Sequence, residues 1–293
     1  MRFTVFTPTY NRRSLLPRLY ASLKRQTYTD FEWVIVDDGS TDGTDELISE
    51  YISENNLFPI VYKQVENGGK PKAVNLGVSI ARGEIFIILD SDDYLTDNAL
   101  KVLDRYEKTI PQDKKDQFAG VCGLKGYENG DAIGKSFDSG EYLDCTNLQR
   151  IKNGILGDKS EAIYTEIMRK YPFPIFDGEK FITESIILDR MASDGFKMRY
   201  FNEITMICEY RSDGLSEQGK RLFTSNPKGY GLYIYECGKT GRHSISQRIR
   251  SFASYVNTYK NVLKDKEIAE NLGSNILCVK LVKFCLNIFR KGK

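Results

Sequence analysis

One histidine, His243, and six cysteines with no CxxC spacing (Cys122, Cys145, Cys208, Cys237, Cys278 and Cys285) supply no set spaced as zinc ligands. The cysteines read instead as reduced, mostly buried thiols of a cytoplasmic protein. Charge of one sign is not in excess: 42 lysines and arginines stand against 40 aspartates and glutamates, so no overall field speaks for nucleic acid. Nowhere do about 18 apolar residues follow one another, so no membrane-spanning helix is expected. The opening MRFTVFTPTYNRR holds only a short alternating run, less than a secretory signal needs. GxxxxGK[ST] and GxGxxG are both missing, so P-loop kinases and Rossmann dinucleotide enzymes lack their phosphate-binding turns here. There is no internal repeat and no low-complexity segment.

What the chain does have is alternation. Short apolar runs at 3–6, 31–36, 60–65, 85–89 and 118–124 alternate with helical periodicity, as in Leu15, Leu16, Leu19, Tyr20 and Leu23. Strands alternating with helices predict βαβ units and a mainly parallel, Rossmann-like sheet flanked by helices, an α/β fold. The runs WVIV and IFIIL are apolar throughout, as strands covered on both faces are. From 126 the pattern loosens into Gly-rich turns (GYENGDAIG), a Pro/Phe segment, the predicted helix TESIILDRMA and strand-like FKMRYF and ITMICEY. Beyond Gly219 the chain is basic, aromatic and predicted helical.

Ligands of open α/β sheets bind outside the carboxyl ends of the strands. The loops there are polar: TPTYNR, DDGSTDGT, ENGGKPKAVNLG and DSDD, placing Thr7, Asp38, Lys72, Asp90 and Asp92 on one rim. Three carboxylates within four residues, Asp90, Asp92 and Asp93, repel unless something positive offsets them. Mg²⁺ and Mn²⁺ are usually held by one or two carboxylates while substrate phosphates complete the shell, and Asp90-Ser91-Asp92 suits such an open site. The alternative is capping of a helix beginning near Thr96, which needs one carboxylate rather than three. An EF-hand from Asp38 fails because its twelfth position is Ser49, not Glu.

Asp38 follows Asp37 at a strand end, where a carboxylate can accept the imide N–H of a uracil ring; the turn chemistry of Gly39, Thr41 and Gly43 explains the rest of that loop. Gly68 and Gly69 precede a helix whose first turn carries Lys70, Pro71 and Lys72, an arrangement that attracts phosphate or simply solvates two lysines. Glu184, at the start of a helix capped by Thr183, is placed to deprotonate an acceptor hydroxyl, with Glu179 and Asp177 as alternatives. The segment 276–293 holds five basic residues and no acidic one. Lys280, Lys283, Asn287 and Arg290 or Lys291 fall along one helical face, which suits an anionic membrane surface or a helix packed on the domain.

As a set and in this order, TPTYNR, VDDGSTDGT, NGGKPKAVNLG and LDSDD, with EYRSDGLS near residue 216, resemble the inverting glycosyltransferases of family 2, of bacterial surface-polysaccharide type, over roughly residues 1–216. The resemblance implies the GT-A fold: a catalytic domain at 1–218, with a nucleotide-sugar half at 1–125 and an acceptor half at 126–218, then a helical, basic region at 219–293 suited to membrane association. It further implies that Thr7 and Asp38 contact the base, that Pro8, Tyr10 and Asn11 shape its pocket, and that Lys72 and Asn75 lie close to the donor. Asp90 and Ser91 would meet the ribose or the metal, and Asp92 would hold Mn²⁺ or Mg²⁺ on the diphosphate. Family members often carry Glu-Asp in the helix that supplies the base; this chain has Glu184-Ser185, so the role passes to Glu184. The implied reaction moves a sugar from a UDP-sugar to a hydroxyl of a glycan or lipid-linked intermediate at the inner face of the cell membrane, by one inverting displacement, in a monomer or homo-oligomer. Two other readings remain. A metal-dependent nucleotidyltransferase would want a basic, glycine-rich loop after the first strand, and a non-catalytic nucleotide-sugar scaffold at the membrane would show no turnover.

Overall fold

Four of the apolar runs become parallel strands whose registers align their carboxyl ends. β1 (Phe3–Thr9), β2 (Phe31–Asp37), β3 (Ile60–Gln64) and β4 (Ile85–Ile88) pair in the order β3-β2-β1-β4. β2 is buried along its whole length, the reason its sequence carries no polar alternation. Between these strands run α1 (Leu16–Lys24), α2 (Thr44–Ser53) and α3 (Lys70–Ile80), joined further on by α4 (Ala99–Lys108). Phe3, Val5, Trp33, Ile35, Ile85 and Ile87 from the sheet meet Leu16, Leu19 and Leu23 of α1 in the main core. The computed structural model describes residues 1–209 and 215–291, apart from the side chains of 215–218, 220 and 288–291.

The parallel order stops at β4. β5 (Tyr94–Leu95), β6 (Phe118–Gly126), β7 (Tyr142–Cys145), β8 (Lys159–Tyr164) and β9 (Lys197–Ile207) extend the sheet as β8-β6-β9-β5, with β7 also on β9. β8 runs antiparallel to both β4 and β6, so the sheet is parallel in its first half and mixed beyond. A parallel return needs a crossover of a dozen or more residues, usually a helix, and between β6 and β8 the chain offers Gly-rich turns instead. The two strand-like stretches FKMRYF and ITMICEY join into the single long β9.

The chain divides into two compact units, Met1–Phe173 with Arg190–Arg211, and Pro174–Asp189 with Ser212–Lys293. The first holds the whole sheet and α5 (Thr165–Lys170). α6 (Ser185–Ser193) passes from the second unit back to the first, and α7 (Leu215–Thr224), α8 (Pro227–Lys239), α9 (Ile245–Tyr259), α10 (Asp265–Asn271) and α11 (Ile276–Lys291) belong to the second. Their core is Ile234, Tyr255, Val256, Tyr259, Ile268, Leu272 and Val279. None of the six cysteines is in a disulfide; Cys122, Cys145 and Cys237 are buried as expected, whereas Cys278 and Cys285 lie exposed on α11. No described helix is long and apolar enough to cross a membrane.

Within the first unit Glu107 is fully buried, and its carboxylate meets the Arg2 guanidinium, the Lys115 ammonium at 2.7 Å and the Tyr164 hydroxyl at 2.7 Å. Burial alone would raise its pKa; the hydrogen bonds and positive charges outweigh burial and hold it below the ordinary glutamate value. A carboxylate depressed in the folded state contributes stability above its unfolded pKa of about 4.3, lost as pH falls through the lower folded value. Urea unfolding across pH 3 to 7 should therefore show an acid limb that Glu107→Gln flattens. That variant should also lose about 2 kcal/mol at neutral pH, because it takes the carboxylate from Lys115 and one of three from Arg2, which keeps Glu84 and Asp104.

Candidate functional site

The rim at the carboxyl ends of β1, β2 and β4 is stitched together by its own side chains. Asp37 ends β2 pointing inward: its carboxylate accepts from the Ser40 N–H at 2.8 Å and the Tyr62 hydroxyl at 2.7 Å. Asp38, one residue on and so on the opposite face, accepts from the backbone N–H groups of Gly68 at 2.7 Å and Gly69 at 2.8 Å. The pair of aspartates thus divides into a turn-builder and a clamp that ties the second loop to the third. Gly39 between these loops has φ +85°, and a Cβ there would approach the Asn67 nitrogen to 3.1 Å, so only glycine fits without strain. The first loop joins the same lattice: Asn11, itself left-handed at φ 52°, accepts from the Thr41 N–H and donates its own N–H to Ser40, while Asp42 accepts from the Arg13 N–H at 2.9 Å.

Because Gly68 and Gly69 give their N–H groups to Asp38, they are not the phosphate cradle expected of that loop. The positive charge comes from side chains. Lys72 is exposed, whereas Lys70, at the first position of α3, reaches the Asp90 carboxylate at 2.6 Å. Lys70 was not among the expected donor residues. Its signal was there to be read, since N1 of a helix at a strand end faces the next strand's loop.

The three clustered aspartates have three different environments. Burial would raise Asp90, but Lys70 and Lys125 prevail and hold its carboxyl below the usual range. Burial pushes the Asp93 carboxyl up to about 6, against the pull of Lys125, whose ammonium lies 3.3 Å away, and of the Cys208 thiol at 3.1 Å. Burial and then the Asp90 charge raise Asp92 too, and it forms no ion pair among the described residues. Two of the three charges are therefore offset by lysines, one of them Lys125 at the end of β6, and not by a metal alone. The capping alternative is also excluded: α4 begins at Ala99 with Asn98 before it, beyond β5.

Among the described residues no three His, Cys, Asp or Glu side chains are grouped to hold a metal ion. The donor set would suit an open site instead, in which Asp92 and Asp90 offer carboxylate oxygens and the remaining positions are left to substrate phosphates and water. Arg18 steadies that loop, its guanidinium donating to the Asp92 carbonyl at 2.8 Å and lying over the Tyr94 ring. Ser91 is buried in the same turn.

Three expected residues have work elsewhere. Thr7 is fully buried and its hydroxyl accepts from the Trp33 indole at 3.0 Å; Pro8 is half-buried and Tyr10 exposed. Asn75 spends both amide atoms on the Phe173 backbone, donating at 2.9 Å and accepting at 2.8 Å, and so anchors the chain where the first unit ends. Glu179 accepts from the N–H groups of Lys228 and Gly229 at the start of α8, one on each oxygen, which ties its carboxylate to that helix terminus. Asp177 is exposed. Glu184 is half-buried in the second unit, its carbonyl accepting from Ile187 at the start of α6. The EYRSDGLS stretch lies largely outside the described residues, as do the side chains of Arg290 and Lys291 and all of Lys293. Lys283 leaves the expected basic face, its ammonium meeting Asp265 and the Lys260 carbonyl.

Comparison with known proteins agrees with this geometry. Residues 4–154 match the model of "Glycosyl transferase family 2". Glycosyltransferase GlyG of Streptococcus pneumoniae serotype 4 is 24% identical over 99% of this chain and 98% of its own length. Poly(ribitol-phosphate) beta-N-acetylglucosaminyltransferase TarS of Staphylococcus aureus is 38% identical over 103 residues, 34% of this chain and 18% of TarS. The chain thus spans nearly all of GlyG but less than a fifth of TarS. The crystal structure of TarS 1–349 in complex with UDP-GlcNAc superposes with a TM-score of 0.63 at 18% identity, covering 100% of this chain and 93% of that one. The mannosyltransferase PcManGT of Pyrobaculum calidifontis, in complex with GDP-Man and Mn²⁺, gives 0.54 at 17% identity, covering 90% and 76%. A polar rim at the ends of parallel strands, a mixed sheet shared with these GT-A neighbours, and the match over more than half the chain lead to one conclusion: the chain belongs to glycosyl transferase family 2.

Proposed function

We propose that the chain moves a sugar from a UDP-sugar to an acceptor hydroxyl, with inversion, on a glycan or lipid-linked intermediate of a surface polysaccharide. The observation that carries the reading is a continuous set of contacts on one rim. Asp38 is clamped on Gly68 and Gly69, the next residue Lys70 is on Asp90, and Asp92 stands beside them with no ion pair among the described residues. The TarS complex with UDP-GlcNAc and the polymer acceptor in its name support the donor and acceptor classes.

Asp38 keeps lone pairs beyond its two backbone bonds, enough to accept a uracil imide N–H, with the backbone of Thr7 and the Pro8, Tyr10 and Asn11 loop beside it. Lys70 and Lys72 meet the diphosphate, and Asp90 and Ser91 the ribose. Asp92 and Asp90 would hold Mn²⁺ or Mg²⁺, which when bound neutralises charge on the departing diphosphate. Glu184 takes the acceptor proton, so that the hydroxyl attacks the anomeric carbon from the face opposite the leaving group. One base suffices for inversion, whereas retention would want a carboxylate nucleophile.

The test is a calorimetric titration with UDP and with GDP, each with Mn²⁺ and with EDTA, on the native chain and on Asp92→Ala. UDP binding that Mn²⁺ strengthens over EDTA, with the gain lost in the variant, is expected; no nucleotide binding in any condition rejects the donor site.

We also propose that the chain works at the inner face of the cell membrane. On α11 Leu277, Leu281 and Phe284 share one face and are 76%, 63% and 64% exposed, with Lys280 beside them and only basic charges in the segment. Replacing all three with serine is expected to cut co-sedimentation with phosphatidylglycerol vesicles at least about tenfold, since each buried side chain of this kind is worth roughly 1.5–3 kcal/mol. Equal sedimentation would reject the membrane contact.

A further inference from the structure

The Lys70 ammonium lies 2.6 Å from one Asp90 oxygen and 2.8 Å from the other, in a pair whose side chains are 20% and 33% exposed. Neither partner is committed to the interior, as Glu107 is; both face the rim. Lys70 opens α3, where the helix dipole favours an anion, and exposed Lys72 is one turn-position away. A diphosphate carries more charge and more acceptor oxygens than one carboxylate, so it competes for the same ammonium. Resting on the donor-site reading above, we propose that Asp90 holds Lys70 in reserve: the donor's diphosphate displaces Asp90 from Lys70, and the carboxylate so released becomes free to ligate the divalent cation. Asp90 then has two opposite effects. Without a cation it opposes donor binding, by occupying Lys70. With a cation it assists. Donor and cation each have to break the same ion pair, so whichever binds first leaves the other less to break, and by linkage each strengthens the other through this residue pair.

The test separates this exchange from a simple field effect of Asp90. UDP binding is measured by calorimetry in EDTA on the native full chain, Asp90→Asn, Lys70→Met and the double variant. Asp90→Asn is expected to bind UDP about tenfold more tightly than native, the size of one charge-assisted hydrogen bond set free. Lys70→Met should bind it more weakly, and adding Asp90→Asn to Lys70→Met should change affinity by less than about twofold. If the gain from Asp90→Asn persists without Lys70, the effect is one of field and the exchange is wrong. If native binds UDP but Asp90→Asn gains nothing, the exchange is likewise wrong while the donor site stands. If native binds no UDP even with Mn²⁺, the donor site fails and the exchange with it.

Discussion

Glu184→Gln is expected to lower kcat by about a hundredfold to ten-thousandfold while leaving UDP affinity as it was. The amide has the size and shape of the carboxylate and cannot accept the acceptor's proton, so a base is removed without removing volume. The measurement is UDP release from a UDP-sugar over a panel of glycan and polyol acceptors, with UDP binding measured alongside. The rival carboxylates differ: Glu179 is tied by both oxygens to the start of α8, whereas Asp177 is exposed, so Asp177 and then Glu179 are the residues to replace next should Glu184→Gln turn over normally. A fall in UDP affinity equal to the fall in kcat would instead make Glu184 a binding residue.

Asp38→Ala is the second large effect, and it acts on two levels at once. The carboxylate is nearly buried and accepts two backbone N–H groups, so its removal strands the Gly68 and Gly69 donors. A loss of about 3 kcal/mol in denaturant unfolding is expected from two charge-assisted bonds made partly at the surface. The loop that carries Lys70 and Lys72 also loses its tie to β2, and UDP affinity should fall about a hundredfold, the equivalent of about 2.7 kcal/mol. Stability lost with UDP affinity retained would assign Asp38 to the loop alone.

The parallel half of the sheet was legible because it rests on local pattern. Fully apolar runs of strand length separated by helical periodicity leave few alternatives: β1 to β4 and α1 appear where the apolar pattern put them, and α3 begins at the Gly-Gly turn that announced it. The second half was less so, since its strands are set by pairing partners far along the chain: β8 sits between β4 and β6, and nothing within KSEAIY states that. The rim loops were legible as a set, since all four follow the carboxyl ends of apolar strands, where open α/β sheets bind their ligands.

Which side chain does what on that rim was not legible. Asp37 and Asp38 are neighbours in sequence and have opposite duties, decided by strand alternation and by what lies on each face. Thr7 and Asn75 were read as donor contacts and are spent on Trp33 and Phe173, partners 26 and 98 residues away. The DSDD charges were read as awaiting a metal, and lysines from α3 and β6 already answer two of them. By itself the sequence determined the strand and helix pattern, the family, and which four loops meet, because these follow from periodicity and from residue types that recur in order. Tertiary structure alone decided the pairing of each charge and amide. Hydrogen bonds and ion pairs act over about 3 Å in space, and only the folded chain brings Lys70 and Lys125 to that distance from Asp90 and Asp93.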